Sequence, residues 1–126
     1  MYKAFIFALA LPNLAFADCF VVANLKGQSA RAADSFAINA DGYSNQKFMV
    51  EIDKEKASIT PSDMRCFMAG LNNVQCIDAT DSGQVTIEVW SVFPDAKKVI
   101  HTKVNNGYGQ HDGGNLFVGD IVGRCG

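Results

Sequence analysis

The side chains best suited to acid-base or metal chemistry are the two histidines, His101 and His111, together with the nearby aspartates Asp112 and Asp120. Imidazole titrates near neutral pH and binds metal ions, so this set is a candidate for a small metal-dependent or acid-base hydrolase. Neither its spacing nor its order matches a known metal or acid-base motif. We therefore predict no catalytic residue, no metal ligand and no cofactor. A hydrolase using His111, Asp112 and His101 is the rival hypothesis.

Other motifs that carry chemistry are missing from the sequence. There is no Gly-x-Ser-x-Gly nucleophile elbow. Residues 78–83, Asp-Ala-Thr-Asp-Ser-Gly, have the composition of a calcium loop but lack the alternating acids and the distal Glu of an EF-hand. The glycines of residues 107–119 do not join a strand to a helix, so they do not form a phosphate-binding loop. Turn chemistry explains residues 78–83, and likewise Asp41-Gly42, more simply than calcium binding does.

Two surfaces are candidates for binding a partner. The glycine-rich segment Asn105–Asn115, which contains Tyr108 and His111, is long for a connection between strands, and such loops frequently contact partners. The other candidate is the outer face of a predicted hairpin, where Trp90 is expected beside His101. We therefore predict Trp90, His101, Tyr108 and His111 as binding residues. The alternative is that another layer of protein covers Trp90 and that the loop has no partner.

The four cysteines all lie beyond the first 17 residues, at positions 19, 66, 76 and 125. An even set of cysteines in an exported chain predicts two disulfides. Of the three pairings that four cysteines allow, we favour Cys19 with Cys125, which ties the ends of the domain, and Cys66 with Cys76, which closes a short loop. Metal binding is the alternative, but no Cys-x-x-Cys pair occurs.

Residues 1–17 have the pattern of a cleaved signal peptide. Lys3 is followed by an apolar run over residues 4–11, and Ala15-Phe16-Ala17 has the small-x-small pattern of a cleavage site. We expect cleavage between Ala17 and Asp18. A membrane anchor is the first alternative, but the apolar run is too short to span a bilayer. A lipid on Cys19 is the second, and Asp18 argues against it because lipoprotein signals have a small residue before the cysteine.

The composition of the mature chain narrows its class. Removal of 17 residues from the 126 leaves 109, which is enough for one small domain, residues 18–126. Lys3 is lost, so 10 Lys and Arg face 13 Asp and Glu, a net charge of −3. This balance predicts no binding to nucleic acid. No later segment is apolar enough to insert in a membrane, so we expect a periplasmic or secreted protein.

Two hairpins can be predicted with their register. Residues 47–60 alternate apolar and polar side chains around a charged turn, and the pairing that aligns both patterns sets Ile52 opposite Ala57 and Asp53 opposite Lys56. Residues 84–104 form the clearest hairpin, with residues 94–97 as its loop. The pairs expected there are Phe93 with Lys98, Val92 with Val99, Trp90 with His101, Val89 with Thr102, Glu88 with Lys103 and Ile87 with Val104.

The predicted orientation of this second hairpin follows its longest apolar alternation. The face expected to lie inside carries Val85, Ile87, Val89, Phe93, Ile100 and Val104. Glu88, Trp90 and Val92 are then expected on the outer face.

Local signals also predict a first strand and one or two short helices. Residues 19–26 alternate and read as a strand that ends at Gly27. Residues 28–38 are rich in alanine and are expected to form a short helix or a loop. The sequence Thr60-Pro61-Ser62-Asp63 has the capping pattern of a helix that ends at Gly70, with another strand as the alternative.

These elements predict a mainly β fold, in which an antiparallel sheet curls into a small barrel or sandwich with one or two short helices and two disulfides. An α+β fold is the alternative. The size, export signal and disulfides are similar to those of many small bacterial periplasmic proteins, including inhibitors of cell-wall hydrolases, a resemblance that transfers no residue role. We expect a non-enzymatic binding module, an inhibitor or accessory protein, whose partner is another exported or envelope protein. A structural component of the cell envelope is a further alternative.

Overall fold

The computed structural model describes residues 18–54 and 56–125, so the predicted signal peptide, residues 1–17, lies outside the described residues. The described chain contains nine β-strands: β1 (Asp18–Arg31), β2 (Ile38–Gly42), β3 (Phe48–Asp53), β4 (Lys56–Thr60), β5 (Arg65–Met68), β6 (Asn73–Ala79), β7 (Val85–Phe93), β8 (Lys98–Asn106) and β9 (Gly113–Arg124). Two single-turn 3-10 helices span Ala32–Asp34 and Gly109–His111. No helix in the described part of the chain has the length and apolar character needed to cross a bilayer.

Eight of these strands close into an antiparallel barrel. From β3 to β9 each strand pairs with the next along the chain, β9 pairs with β1, and β1 pairs with β3. Closure pairs the backbone N–H and C=O groups that an open sheet leaves free at its edges. The predicted mainly β fold, a curled antiparallel sheet with two disulfides, is confirmed.

Strand β1 pairs with two different strands along one of its edges. Residues 18–22 pair with β3 and residues 26–30 pair with β2, while β9 follows the opposite edge. Between the two halves Asn24 has a φ of 60° and the register with β9 shifts, as in a β-bulge. Among the described residues β2 has no partner on its other edge, so it forms the free margin of the sheet.

The end of β1 differs from the sequence-based expectation. The predicted stop at Gly27 is wrong, because the strand continues to Arg31, and residues 28–31 are neither helix nor loop. Gly27 is required for a different reason: a Cβ there collides with the carbonyl oxygen of Leu116, since β9 approaches closely at this point. Pairing with strands on both edges outweighs the helix propensity of the alanines.

The predicted helix after Thr60 is also wrong. Residues 65–68 form strand β5, which pairs with β6, so the alternative expectation of a strand is confirmed. The hydroxyl of Ser62 does accept a hydrogen bond from the N–H of Met64 at 3.1 Å, as it would at a helix start. This hydrogen bond closes a local turn and does not start a helix, since the residues after it form the extended strand β5 beside β6. Between β4 and β5 the register contains one pair, Lys56 with Phe67, which makes this the weakest join in the barrel.

Both predicted disulfides are present. Cys19 and Cys125 join the first and last strands, with their Cα atoms 5.2 Å apart, and the N–H of Cys125 donates to the carbonyl of Cys19 at 3.1 Å. Cys66 and Cys76 are direct cross-strand neighbours on β5 and β6. The long bridge therefore fixes the closure of the barrel, and the short one lies beside its weakest join.

Candidate functional site

The β7–β8 hairpin forms with the predicted register but with its two faces exchanged. Trp90 lies opposite His101, as predicted. Both side chains are only 1% exposed, however, whereas Ile87 is 37% and Val104 is 53% exposed. The prediction that Trp90 and His101 present an outer surface is therefore wrong, because both face the barrel interior.

Glu88, Trp90 and His101 form a hydrogen-bonded cluster inside the barrel. Oε1 of Glu88 accepts a hydrogen bond from Nε1 of Trp90 at 3.1 Å and lies 3.0 Å from Nε2 of His101. An ionised carboxylate only accepts hydrogen bonds, so Nε2 of His101 carries the proton in this contact. The two rings stack with centroids 4.0 Å apart, and Phe48 and Phe117 pack around them. These mutual contacts explain why the face that carries a glutamate points inwards.

The surroundings of Glu88 keep it ionised. Burial by itself raises the pKa of this carboxyl group, but the hydrogen bond and charge of His101, the charge of Lys103 and the hydrogen bond from Trp90 together outweigh it. The pKa of Glu88 therefore lies below its usual value. Across the described residues, every buried side-chain nitrogen and oxygen has a hydrogen-bond partner. The cluster is thus a satisfied part of the core.

From the row that contains Glu88 to the nearer end of the barrel, the interior is polar. The next row of inward-facing residues across β7, β8, β9 and β1 is Glu88, Lys103, Asn115 and Ser29. The last row is Thr86, Asn105, Gly113 and Arg31. These rows border a cavity of about 80 Å³. We call this cavity the polar mouth, and its polar lining residues are Arg31, Asp41, Tyr43, Lys103, Asn105 and Asn115.

Asp41 already has an ion-pair partner and hydrogen-bond donors within the polar mouth. It forms a 2.9 Å ion pair with Arg31 and accepts the backbone N–H of Gly42 at 2.8 Å. The Ser29 hydroxyl, the Gly42 N–H and the Arg31 guanidinium together hold the pKa of Asp41 below its usual value. Asp41 is therefore an anion whose charge is neutralised within the protein.

The outer surface of the same strands is apolar. Cross-strand neighbours Ile38, Ala30, Gly114, Val104, Ile87 and Ile77 form one row across six strands. The rows beside it add Val89, Leu116, Ile100 and Val118, interspersed with the uncharged polar residues Gln28, Gln75, Ser91 and Thr102. We define the outer apolar face as Ile38, Ile77, Ile87, Val89, Ile100, Val104, Leu116 and Val118. None of these side chains is charged, and Ile38 is 70% and Leu116 52% exposed.

The predicted long loop is shorter in the structure. Strand β8 continues to Asn106 and β9 begins at Gly113, so the connection contains residues 107–112. The carboxylate of Asp112 accepts the backbone N–H of Tyr108 at 2.6 Å and closes this turn. His111 is exposed and Tyr108 is half-buried. The expectation of an eleven-residue loop is wrong because glycines 113 and 114 lie within β9.

The structure does not bring together the residues of the rival hydrolase. His101 is enclosed in the barrel, four residues before Asn105, and this stretch of strand is about 13 Å long. His111 lies farther along, on the exposed turn. In residues 18–54 and 56–125, no group of three or more His, Cys, Asp or Glu side chains is arranged to hold a metal ion.

Sequence reasoning did not identify the outer apolar face or the polar mouth as surfaces. Both faces of β7 and β8 carry apolar residues, so alternation locates the strands without orienting them. The longest apolar alternation, which includes Ile87 and Val89, was the misleading signal, because in the structure it lies on the outer face. Comparisons with protein-family models, with curated proteins and with solved structures find no match for this chain.

Proposed function

We propose that the protein is an exported, non-catalytic binding module that acts through protein–protein contact, and that its contact surface is the outer apolar face. The observation that carries this proposal is the exposure of aliphatic side chains on three adjacent strands, at Ile87, Val104 and Leu116. Ile38 and Val118 on the same face are also exposed, and a contiguous apolar patch of about a few hundred Å² frequently marks a binding site on a soluble protein.

The margins of the outer apolar face carry charges of both signs. Arg65 lies beside Ile77, where Asp63 and Asp78 line the same surface hollow, and Lys26 lies beside Val118, with Asp120 near it. The centre of the face is uncharged. A complementary partner is another exported or envelope protein with an apolar patch inside a rim of charged side chains, because charges at the rim steer association and select among partners.

The disulfides support the exported location in this proposal. All four cysteines are paired, and no free thiol remains. Structural disulfides persist in oxidising compartments such as the periplasm or the extracellular space and are rare in a reducing cytosol.

Site-specific photo-crosslinking in producing cells tests the proposal. A photoreactive amino acid replaces Val104, at the centre of the outer apolar face, and separately replaces Leu71 as a control. Leu71 is 89% exposed and lies in the turn between β5 and β6, so it is an equally accessible apolar position away from this face. We expect a discrete adduct with one exported protein from Val104 and none from Leu71. The double variant I87E/L116E is expected to abolish that adduct while the protein remains folded.

Three outcomes contradict the proposal. One is the absence of any adduct at Val104, and another is the same adduct from both positions. The third is an adduct whose mass equals two copies of this chain, because it identifies the face as a self-association surface. Circular dichroism of I87E/L116E separates loss of contact from loss of fold.

A further inference from the structure

The polar mouth has the dimensions of a site for a small ligand. Its volume of about 80 Å³ corresponds to the space of two or three water molecules in liquid water. Pockets for drug-sized molecules are several times larger. Eight-stranded barrels are wide enough to hold one small ligand where side chains do not fill the interior. Phe117 and Tyr43 also line this cavity, so an aromatic floor separates it from the rest of the core.

Among the described residues that line the polar mouth, Lys103 is the one cation without an ion pair. Within the described residues, no carboxylate oxygen lies within the 4.0 Å of its ammonium group that defines a salt bridge, whereas Arg31 is paired with Asp41. Glu88 lies opposite Lys103 on β7. Its Oε1 atom is already shared by Trp90 and His101. Lys103 therefore faces the cavity with hydrogen-bonding capacity that the protein does not use.

Other donors surround the same space. The side-chain oxygen of Asn105 accepts a hydrogen bond from the Thr86 hydroxyl at 2.7 Å, which leaves the amide NH₂ as its free end. A guanidinium has five N–H groups, so Arg31 retains donors beyond the one bound to Asp41. Burial first, and the charge of Glu88 second, raise the pKa of Tyr43, so its phenol is a neutral hydroxyl at neutral pH. Asn115 directs its amide NH₂ towards His101, so its oxygen is an acceptor beside the unused donors of Lys103, Arg31 and Asn105.

We propose that the polar mouth binds one small oxyanion, a carboxylate or phosphate group, with Lys103 as its principal ion-pair partner and Asn105 and Arg31 as hydrogen-bond donors. Arg31 is paired with Asp41 and the charge of Lys103 acts on Glu88, so the charges around the cavity balance, and the unused donors of Lys103, Arg31 and Asn105 are what select an anion. The anion is either a free ion or the end of a larger molecule that enters through the barrel end. This inference is independent of the proposed protein contact, because the outer apolar face lies on the opposite side of the same strands.

Titration followed by NMR tests this proposal. Sodium phosphate and sodium acetate are added in separate experiments to the folded chain, each against sodium chloride of equal ionic strength. We expect saturable chemical-shift changes at the amides of Lys103, Asn105 and Asn115. Saturation with phosphate alone identifies a phosphate site, saturation with acetate alone identifies a carboxylate site, and each supports a specific oxyanion site.

Lys103→Met and Lys98→Met form the matched pair of variants. Lys98 is on the same strand but points outwards, where it pairs with Asp120 at 2.6 Å. We expect Lys103→Met to weaken anion binding at least tenfold and Lys98→Met to change it less than twofold. The proposal is overturned if neither probe causes saturable shifts, if chloride causes the same shifts, or if both variants weaken binding equally. Unchanged shift dispersion in Lys103→Met shows that the variant is folded.

Discussion

Trp90 and His101 stack directly opposite each other inside the barrel, with ring centroids 4.0 Å apart and planes inclined by 29°. A single oxygen of Glu88 contacts a nitrogen of each ring. One carboxylate therefore fixes the orientation of two aromatic side chains on neighbouring strands. Removing this oxygen leaves two buried ring nitrogens without that partner, so the core is expected to be sensitive to the loss of Glu88.

Glu88→Ala is expected to destabilise the protein by about 3 kcal/mol, because loss of one partner leaves buried polar groups unsatisfied. Glu88→Gln retains an oxygen that can accept both hydrogen bonds but carries no charge, so its cost is expected to be less than half as large. Urea unfolding followed by Trp90 fluorescence measures both values. Glu51→Ala is the control, because Glu51 is exposed on β3 and is expected to change stability by less than about 0.5 kcal/mol. Equal losses in the Glu88→Ala and Glu51→Ala variants contradict the assigned role.

Stability is expected to fall in acid partly through Glu88. The folded-state pKa of this group is lower than its unfolded value. Its ionic contribution is therefore fully present above about pH 4.3 and is lost as the pH falls through the lowered folded pKa. Glu88→Gln removes this titration, so the variant is expected to lose less stability on acidification than the wild type. Urea midpoints over a pH series measure the two slopes, and parallel slopes contradict the expectation.

The two disulfides are expected to differ in their stabilising effect. In the chain-entropy model, the bridge between Cys19 and Cys125 contributes about 4.7 kcal/mol and the bridge between Cys66 and Cys76 about 2.7 kcal/mol, because the first closes a far longer loop. Double Cys→Ala variants compared by urea unfolding measure these contributions. A larger loss for the short bridge shows that its support of the weak β4–β5 join outweighs loop entropy.

Gly27→Ala is expected to destabilise the barrel by about 2 kcal/mol, because the new Cβ collides with the backbone of Leu116 and forces β1 and β9 apart. Gly123→Ala is the matched control, since a Cβ there has no atom within 4 Å. Thermal unfolding measures the difference. Similar midpoints for the two variants contradict the close approach of the strands at Gly27.

Substitutions on the two faces of the β7–β8 hairpin are expected to change the free energy of unfolding by very different amounts. Trp90→Ala is expected to cost about 3–5 kcal/mol, because it empties a large buried volume. Val104→Ser, on the outer apolar face, is expected to change the free energy of unfolding by less than about 0.5 kcal/mol. Urea unfolding distinguishes these values, and the reverse order restores the orientation expected from the sequence.

The registers of both hairpins could be predicted because two independent constraints agreed. The length of the turn at residues 94–97 fixes which residues of the two strands lie opposite each other. The alternation of apolar residues in both strands fits that same pairing, which includes Trp90 with His101. The hairpin at residues 47–60 was fixed in the same way, with Ile52 opposite Ala57. Register depends on neighbouring residues, so a single sequence contains enough information to predict it.

Orientation depends on distant residues, and there the sequence was insufficient. Glu88 faces inwards because it meets Trp90 and His101 in a closed barrel, a contact set that alternation does not reveal. The predicted helix at residues 61–70 failed for a similar reason. Its capping signal is local, whereas the extended form of β5 is stabilised by pairing with β6. Predicting the polar mouth would require knowing which residues of β1, β8 and β9 become neighbours. Those neighbours are set when the barrel closes, and the sequence does not reveal them.

The bridge between Cys19 and Cys125 also determines what a protease can do to this protein. Since it joins the first and last strands, a single cut at any turn between them leaves both pieces attached to each other. The cut chain then consists of two pieces that the disulfide joins near the original ends, and its new ends lie at the nick. Exposed turns such as residues 107–112 are thus sites where hydrolysis need not release a fragment.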